Sequence, residues 1–320
     1  MTGPQRAEIG VAISTRDRPQ ALARCLETLR AGRVLPAEVV VADQSFGSAT
    51  REVVAAAGAA DLPIRWVDGN GGGLARAQNA AFNRVTMPVV AVIDDDCVAD
   101  SDWIAVLERT FAADPGVALV GGRVQPLAPS GDRTYAVSSR RSTVRRELTG
   151  KSAPWNVGSG NNFALRREWF ERIGGCDERL GPGTPGLGAV DMDLFYRVLR
   201  HGGRALYEPD AVVRHERASR EGRLERRWPY GHGMGAACGL RLRERDLYGA
   251  RLLTEWLGLR LRILASGLLG GRWSALHEEA LVLGGTATGV VHGLRLGPRS
   301  RDVPDKRQEG DNDSESDVRS

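Results

Sequence analysis

The sequence predicts an α/β fold: a mainly parallel central sheet flanked by helices, followed by a helical appendix. Three observations carry that prediction. Short apolar runs at 9–14, 37–42, 64–67 and 89–93 are rich in β-branched residues and bounded by polar ones, as buried strands are. Segments with helical spacing lie between them, and strand–helix–strand alternation favours a parallel sheet covered on both faces. Finally, 320 residues with 42% apolar and 26% charged side chains are ample for a sizeable core and unlike a disordered or disulfide-stapled chain.

In chain order, residues 1–8 precede the first run and are expected to be flexible. A helix is expected at 19–31, where Leu22, Leu26 and Leu29 share a face, and further helices at 49–59, 74–85 and 102–113. A strand is expected at 117–124. The Arg-rich stretch 128–154 reads as an irregular, mobile loop. The block 155–215 is dense in Gly, aromatic and acidic residues and ends in a strand-like Ala211-Val212-Val213-Arg214-His215. Residues 246–296 read as helices that Glu255, Arg260 and Arg262 make too polar to cross a bilayer, and 281–291 is too short and Gly-rich to span one. Packing against the domain and lying in a membrane interface both remain open for this appendix. The polar tail 299–320 is expected to be disordered.

The net charge of +4 does not point to nucleic acid. Of 44 basic residues only Lys151 and Lys306 are lysine, a skew that fits GC-rich coding better than phosphate contacts, and so small a charge bears on solubility. Cys25, Cys97, Cys176 and Cys238 are widely spaced, without a zinc or disulfide pattern. Residues 1–10 lack a basic-then-apolar leader, so a cytoplasmic setting is expected.

Each predicted strand ends in reactive or flexible residues: Ser14-Thr15-Arg16-Asp17, Asp43-Gln44-Ser45, the Gly-rich 68–73 and Asp94-Asp95-Asp96. In a parallel sheet these gather on one edge, where ligands bind. Three adjacent carboxylates there repel one another, and a hard divalent cation such as Mg²⁺ or Mn²⁺ relieves the cost. The glycine loops at 69–73 and 158–163 each miss the last glycine of a dinucleotide fingerprint, which removes support for hydride transfer. Asp191 and Asp193 begin a helix-like segment; one fits a helix cap and the other a general base, and spacing does not separate them. His215 fits either a metal ligand or a structural imidazole.

In their order, these pieces resemble the family 2 inverting glycosyltransferases of GT-A fold. The match rests on Ser14-Thr15-Arg16-Asp17-Arg18-Pro19, Val41-Ala42-Asp43-Gln44-Ser45, Gly73-Leu74-Ala75-Arg76-Ala77-Gln78-Asn79 and Ile93-Asp94-Asp95-Asp96. It continues through Gly174-Gly175-Cys176-Asp177-Glu178, Val190-Asp191-Met192-Asp193-Leu194 and Val213-Arg214-His215-Glu216, covering about 9–216. The resemblance implies a nucleotide-sugar-binding half at 9–124 and an acceptor half at 125–245. It implies that Thr15 and Asp43 hold the nucleobase with help from Arg76, that Arg16 lies at the donor, and that Asp95 faces the ribose. Asp94, Asp96 and His215 would hold Mn²⁺ or Mg²⁺, and Asp191 would be the general base.

Two departures stand out. Val190 replaces the family's usual Glu before the base, and Cys176 replaces a more frequent Phe. Trp155, Asn161 and Asn162 are candidate acceptor residues, since an aromatic face beside amides suits a sugar. The acceptor class stays broad: a glycan, a lipid-linked or a small-molecule hydroxyl. A UDP- or dTDP-sugar donor is the family-level expectation. Arg226 and Arg227, before Tyr230-Gly231-His232-Gly233-Met234-Gly235, suggest peripheral membrane contact through a basic region. A sugar nucleotidyltransferase is the nearest rival, but the loop after the first strand lacks its glycines; an inactive scaffold would have no reason to keep Asp94, Asp96, Asp191 and His215 together.

Overall fold

In the computed structural model, residues 5–59, 62–69, 71–128 and 134–297 are described; the expected tail at 299–320 lies outside them. The apolar runs form strands β1 (Arg6–Thr15), β2 (Leu35–Asp43), β3 (Ile64–Asp68) and β4 (Val89–Ile93). They pair in parallel in the order β3-β2-β1-β4. Because side chains alternate across a strand, Val11, Ile13, Val39, Val41 and Ala91 enter one core layer, while Ala12, Val40, Ala42, Val90 and Val92 enter the other.

Helices α1 (Pro19–Arg30), α2 (Ala49–Ala59) and α4 (Trp103–Ala113) cover the first layer, with Leu22, Leu26, Leu29, Val54 and Trp103 buried there. Helix α3 (Leu74–Phe82) covers the second through Ala77, Ala81 and Phe82. The connection leaving β3 therefore crosses on the face opposite those leaving β1 and β2, so the strand order reverses between β1 and β4, at whose carboxyl ends ligands gather.

Beyond β4 the sheet becomes mixed. Strand β5 (Cys97–Ala99) leads into α4, and β6 (Val117–Pro126) follows. The short β7 (Arg146–Leu148) comes next, then β8 (Asn162–Arg166), helices α5 (Arg167–Arg172) and α6 (Val190–Arg200), and β9 (Arg204–His215). Strand β8 inserts antiparallel between β4 and β6, and β9 pairs in parallel with β6 and antiparallel with β5 and β7. The expected parallel order thus belongs to the first four strands.

Three boundaries differ from expectation. Residues 6–8, expected to be flexible, belong to β1, with Arg6 and Ala7 in register with Leu35 and Pro36. The stretch 128–154 is not wholly irregular, since β7 pairs with β9 and the backbones of Arg140 and Val124 bond in both directions. Strand β9 starts at Arg204 rather than 211. Pro209 masks it in the sequence, because proline supplies no ladder donor, and the register with β6 jumps there from Glu208 to Val212.

The carboxyl-terminal region contains α7 (Arg220–Glu225), α8 (Arg227–Arg243), α9 (Tyr248–Leu269) and α10 (Trp273–Arg295). Helices α8 and α10 run parallel and interlock through glycines. A Cβ at Gly231 would lie 2.0 Å from the Val282 oxygen, at Gly235 2.2 Å from Thr286, and at Gly289 2.0 Å from His232. Only glycine allows backbones so close, and this contact offsets its low helix propensity. Buried Ala236, Ala237 and Leu240 of α8 in turn join the second core layer of the α/β body.

Candidate active site

The parallel register assembles the ligand edge. Thr15 lies opposite Asp43, and Asp43 opposite Asp68, with Asp94 directly following β4. Thr15 Oγ1 donates to Asp95 Oδ2 at 2.7 Å, which unites the residues expected at base and ribose. Asp43 accepts from Trp66 Nε1 at 3.0 Å and the Ser45 N–H at 2.9 Å. Gln44 Nε2 donates to the carbonyls of Gly69 and Gly73, holding the glycine loop against β2. Gly71, Gly72 and Gly73 take φ of 59°, 79° and 104°, a left-handed run that side chains resist.

Arg76, at the start of α3, borders this loop and donates to Glu178 at 3.2 Å, while Asn79 Nδ2 donates to Glu178 at 2.9 Å. The motifs at 73–79 and 174–178 therefore meet. Arg16 does not join the carboxylates: it sits at the exposed rim, its guanidinium 5.3 Å from the Phe46 ring centroid. Arg18 takes that place, donating to Asp95 at 3.2 Å and Asp96 at 3.1 Å. Its signal in the sequence was only its membership of the first motif.

Asp96 and His215 come together because β5 pairs with β9, setting Cys97 opposite His215. His215 Nδ1 lies 2.6 Å from the Glu216 carbonyl oxygen, which can only accept, so Nδ1 carries the proton. Burial lowers the imidazole pKa, with Asp96 opposing, which favours the neutral ring. Nε2 then presents a lone pair to Asp96 Oδ1 at 3.4 Å. Two acceptors facing each other this way fit a cation between them.

Asp96, Cys97 and His215 have ligand atoms within 4.8 Å of one another. Cys97 is a poor third ligand, because burial and then Asp94 and Asp96 hold its thiol protonated. Asp94 lies outside that group. Burial pushes its carboxyl well above the ordinary carboxylate range, and Asp96, Asp95 and Asp191 push it further. Burial likewise raises Asp95, partly offset by Thr15 and Arg18.

Asp191 and Asp193, equivalent in the sequence, have opposite surroundings. Asp193 is 2% exposed and pairs with Arg197 at 2.7 Å and Arg241 at 3.1 Å. Asp191 has no ion pair among the described residues and sits in the first turn of α6, where the helix dipole favours a carboxylate. Its Oδ2 accepts from the Gly160 N–H at 2.7 Å. Burial raises its pKa, with the N–H groups of Met192 and Gly160 opposing. This carboxylate is held in place yet has capacity to accept a proton.

The amides also divide. Asn162 is fully buried; its Oδ1 accepts from Trp103 Nε1 and its Nδ2 donates to the carbonyls of Arg123 and Ala211. That corrects the expectation of acceptor contact for Asn162, whose polar atoms are spent joining β8 to β6, β9 and α4. Asn161 is 2% exposed, with neither amide atom hydrogen-bonded among the described residues. It directly precedes Asn162, whose partner Ile93 ends β4 just before Asp94.

Trp155, half-buried, meets Trp256 of α9 with ring centroids 5.7 Å apart, and Tyr230 of α8 meets Trp256 at 5.4 Å. Tyr230 is part-exposed along its ring, yet its hydroxyl end is deep. Burial raises its pKa, and Asp191 adds to that shift while Arg260 opposes it. Tyr230 escaped sequence reasoning because its helix follows the motif-bearing region and comes near Asp191 only by packing; Trp256, 1% exposed, backs its ring from the core. Arg227 is not free for a basic surface, since it pairs with Glu278 and Glu279 of α10.

Residues 4–231 match the family described as glycosyltransferase like family 2. A pre-mycofactocin glycosyltransferase of Mycobacterium tuberculosis is 27% identical over 252 residues, 77% of this chain and 50% of that protein. The chain thus spans about half the length of this relative. A glucosyl-dolichyl phosphate glucuronosyltransferase of Haloferax volcanii is 23% identical over 231 residues, covering 66% of this chain and 69% of the relative. Among solved structures, the mannosyltransferase PcManGT from Pyrobaculum calidifontis, in complex with GDP-Man and Mn2+, aligns with a TM-score of 0.58 and 17% identity over 90% of this chain and 89% of that one. The 1–349 portion of S. aureus TarS, in complex with UDP-GlcNAc, aligns with a TM-score of 0.57 and 14% identity over 89% of each chain. The architecture is the GT-A fold.

Proposed function

The chain belongs to glycosyltransferase family 2, and from that premise we propose that it is an inverting, metal-dependent enzyme that moves a sugar from a nucleoside-diphosphate donor to a hydroxyl acceptor. Asp191 is the general base. The observation that carries this reading is its isolation: the carboxylate is anchored by a backbone N–H and no ion pair with it is found among the described residues.

In this mechanism Thr15, Asp43 and Arg76 receive the nucleobase and Asp95 the ribose. Asp191 takes the acceptor hydroxyl's proton while that oxygen bonds to the anomeric carbon from the face opposite the nucleotide. The bond from the anomeric carbon to the diphosphate oxygen breaks in the same displacement, so configuration inverts. A general base contributes about 10²–10⁴ in rate. Asp96 and His215 would hold a Mn²⁺ or Mg²⁺ ion, with Asp94 beside them. Such an ion, when bound, neutralises charge developing on the leaving diphosphate. Trp155 and Tyr230 offer aromatic surface on the acceptor side of Asp191, backed by the buried Trp256, with the amide of Asn161, unbonded among the described residues, nearby. The donor proposed is a UDP- or dTDP-sugar.

Calorimetric titration of UDP, dTDP and GDP, with and without Mn²⁺, tests the donor site. We expect one uridine or thymidine nucleotide to bind in a Mn²⁺-dependent way, with binding lost in Asp96→Ala. Nucleotide binding indifferent to both the metal and Asp96 would overturn the metal assignment, and selective binding of GDP would overturn the donor assignment.

A further inference from the structure

Helices α9 and α10 form an antiparallel hairpin. Trp256 Nε1 donates to Thr286 Oγ1, Arg260 meets Glu279, and Gly267 faces Leu276. Arg223 and Arg227 grip α10 at Glu278, and the hairpin continues beyond that grip to its turn at Gly270 and Gly271. At this end Leu261, Leu268, Leu269 and Trp273 are 54%, 59%, 92% and 77% exposed.

The charges around them are of one sign. Residues 256–277 contain no carboxylate, in a chain with 40 of them, but do contain Arg260, Arg262, Arg272 and His277. Arg260 is neutralised by Glu279. Arg262 and Arg272 are exposed, and neither has an ion pair among the described residues. An apolar tip with an exposed tryptophan, flanked by two arginines that have no ion pair among the described residues, matches the chemistry of a bilayer surface with anionic headgroups.

We propose that the α9–α10 tip is a docking surface for an anionic lipid bilayer. Leu268, Leu269 and Trp273 enter the boundary between headgroups and acyl chains, while Arg262 and Arg272 meet lipid phosphates. The attachment is peripheral, as no helix among the described residues is long and apolar enough to cross a membrane. A second copy of the chain fits this surface less well. In a twofold contact the patch faces itself, bringing arginine to arginine without a carboxylate from 256–277. The chain's own residues 298–320 are mixed in charge, with seven carboxylates and five basic residues, and Val303 and Val318 are their only aliphatic side chains and would cover little of the tip.

Docking also orients the site. Trp256, which stands beside Tyr230 and Trp155, is 13 residues before Leu269 on the same helix, about 20 Å along its axis. A bilayer-borne hydroxyl acceptor would then approach along α9. That consequence rests on the transfer reading; the docking itself does not.

Co-sedimentation of the full chain with phosphatidylcholine vesicles, with and without phosphatidylglycerol and with no donor present, tests docking separately from chemistry. We expect sedimentation only with phosphatidylglycerol, weakened at high salt. Leu268→Glu/Leu269→Glu should weaken it at least about tenfold by removing the apolar anchor. Arg262→Gln/Arg272→Gln should also weaken it by about tenfold or more, from roughly fivefold per arginine. Far-UV circular dichroism confirms that each variant is folded, and the arginine pair decides the matter if the leucine pair is not. The proposal is overturned if the chain ignores anionic vesicles, if the folded variants bind as the parent does, or if size-exclusion shows a dimer that these substitutions dissolve.

Discussion

The site edge and the joint beneath α6 are both crowded with carboxylates, and they treat them in opposite ways. At the joint, Asp177, Asp193 and Glu244 are interleaved with Arg179, Arg197 and Arg241. Each charge has a near partner of opposite sign, which is the condition for burying ions at tolerable cost. At the site edge, Asp94, Asp95, Asp96 and Asp191 converge, and the one guanidinium that reaches them, among the described residues, is that of Arg18. Burial raises the pKa of Asp94, Asp95 and Asp191 accordingly. Matched charge marks the architecture; surplus negative charge marks the place where a cation and a proton are to be received.

Asp191 and Asp193 bring that contrast within two residues of one helix. The largest expected effect is on turnover: Asp191→Asn should lower it by about 10²–10⁴-fold while leaving nucleotide affinity intact. Steady-state kinetics with an active donor–acceptor pair, alongside calorimetry, checks both halves. Turnover equal to the parent's would remove Asp191 from the mechanism.

Next in size is stability. Asp193→Asn leaves Arg197 and Arg241 short of a buried counter-charge and should cost about 3–5 kcal/mol in urea unfolding. Asp191→Asn should be neutral or slightly stabilising. A carboxyl whose folded pKa is raised favours the fold below its ordinary pKa, and that contribution is lost as pH rises through the folded value. If both substitutions destabilise equally, the contrast between the two regions fails.

The smallest effect is on pH dependence. Because burial raises the Asp191 pKa, the acid limb of the turnover profile should lie above the range of an ordinary aspartate, near 3.9. Activity is expected to be full above the shifted value and to fall as the pH drops through it. An acid limb at the ordinary aspartate value would mean that the base is a solvated carboxylate.

Much of the α/β body was legible in the sequence. Short, β-branched apolar runs placed β1 to β4 and the helical segments between them placed α1 to α4, and the rule that ligands gather at strand ends placed Thr15, Asp43 and the acidic triplet together. The later part was less legible. Pro209 interrupts β9 and hid its first half, and β7 is only three residues long. Asn161 and Asn162 read alike as neighbouring amides, yet Asn162 begins β8 and is saturated with hydrogen bonds, while Asn161, in the turn before it, has neither amide atom bonded among the described residues.

The sequence by itself determined the sheet-forming runs, the glycines and the carboxylates, because those properties are written in local spacing and residue type. Only the tertiary structure decided what each charge meets. It neutralised Asp193 and left Asp191 without a counter-ion among the described residues; it closed Asp96 against His215 across β5 and β9; it set Trp256 beside Tyr230 and spent Arg227 on Glu278 and Glu279. Those pairings join residues distant along the chain, and the strength of an electrostatic contact depends on separation in space and on burial, which no local pattern records.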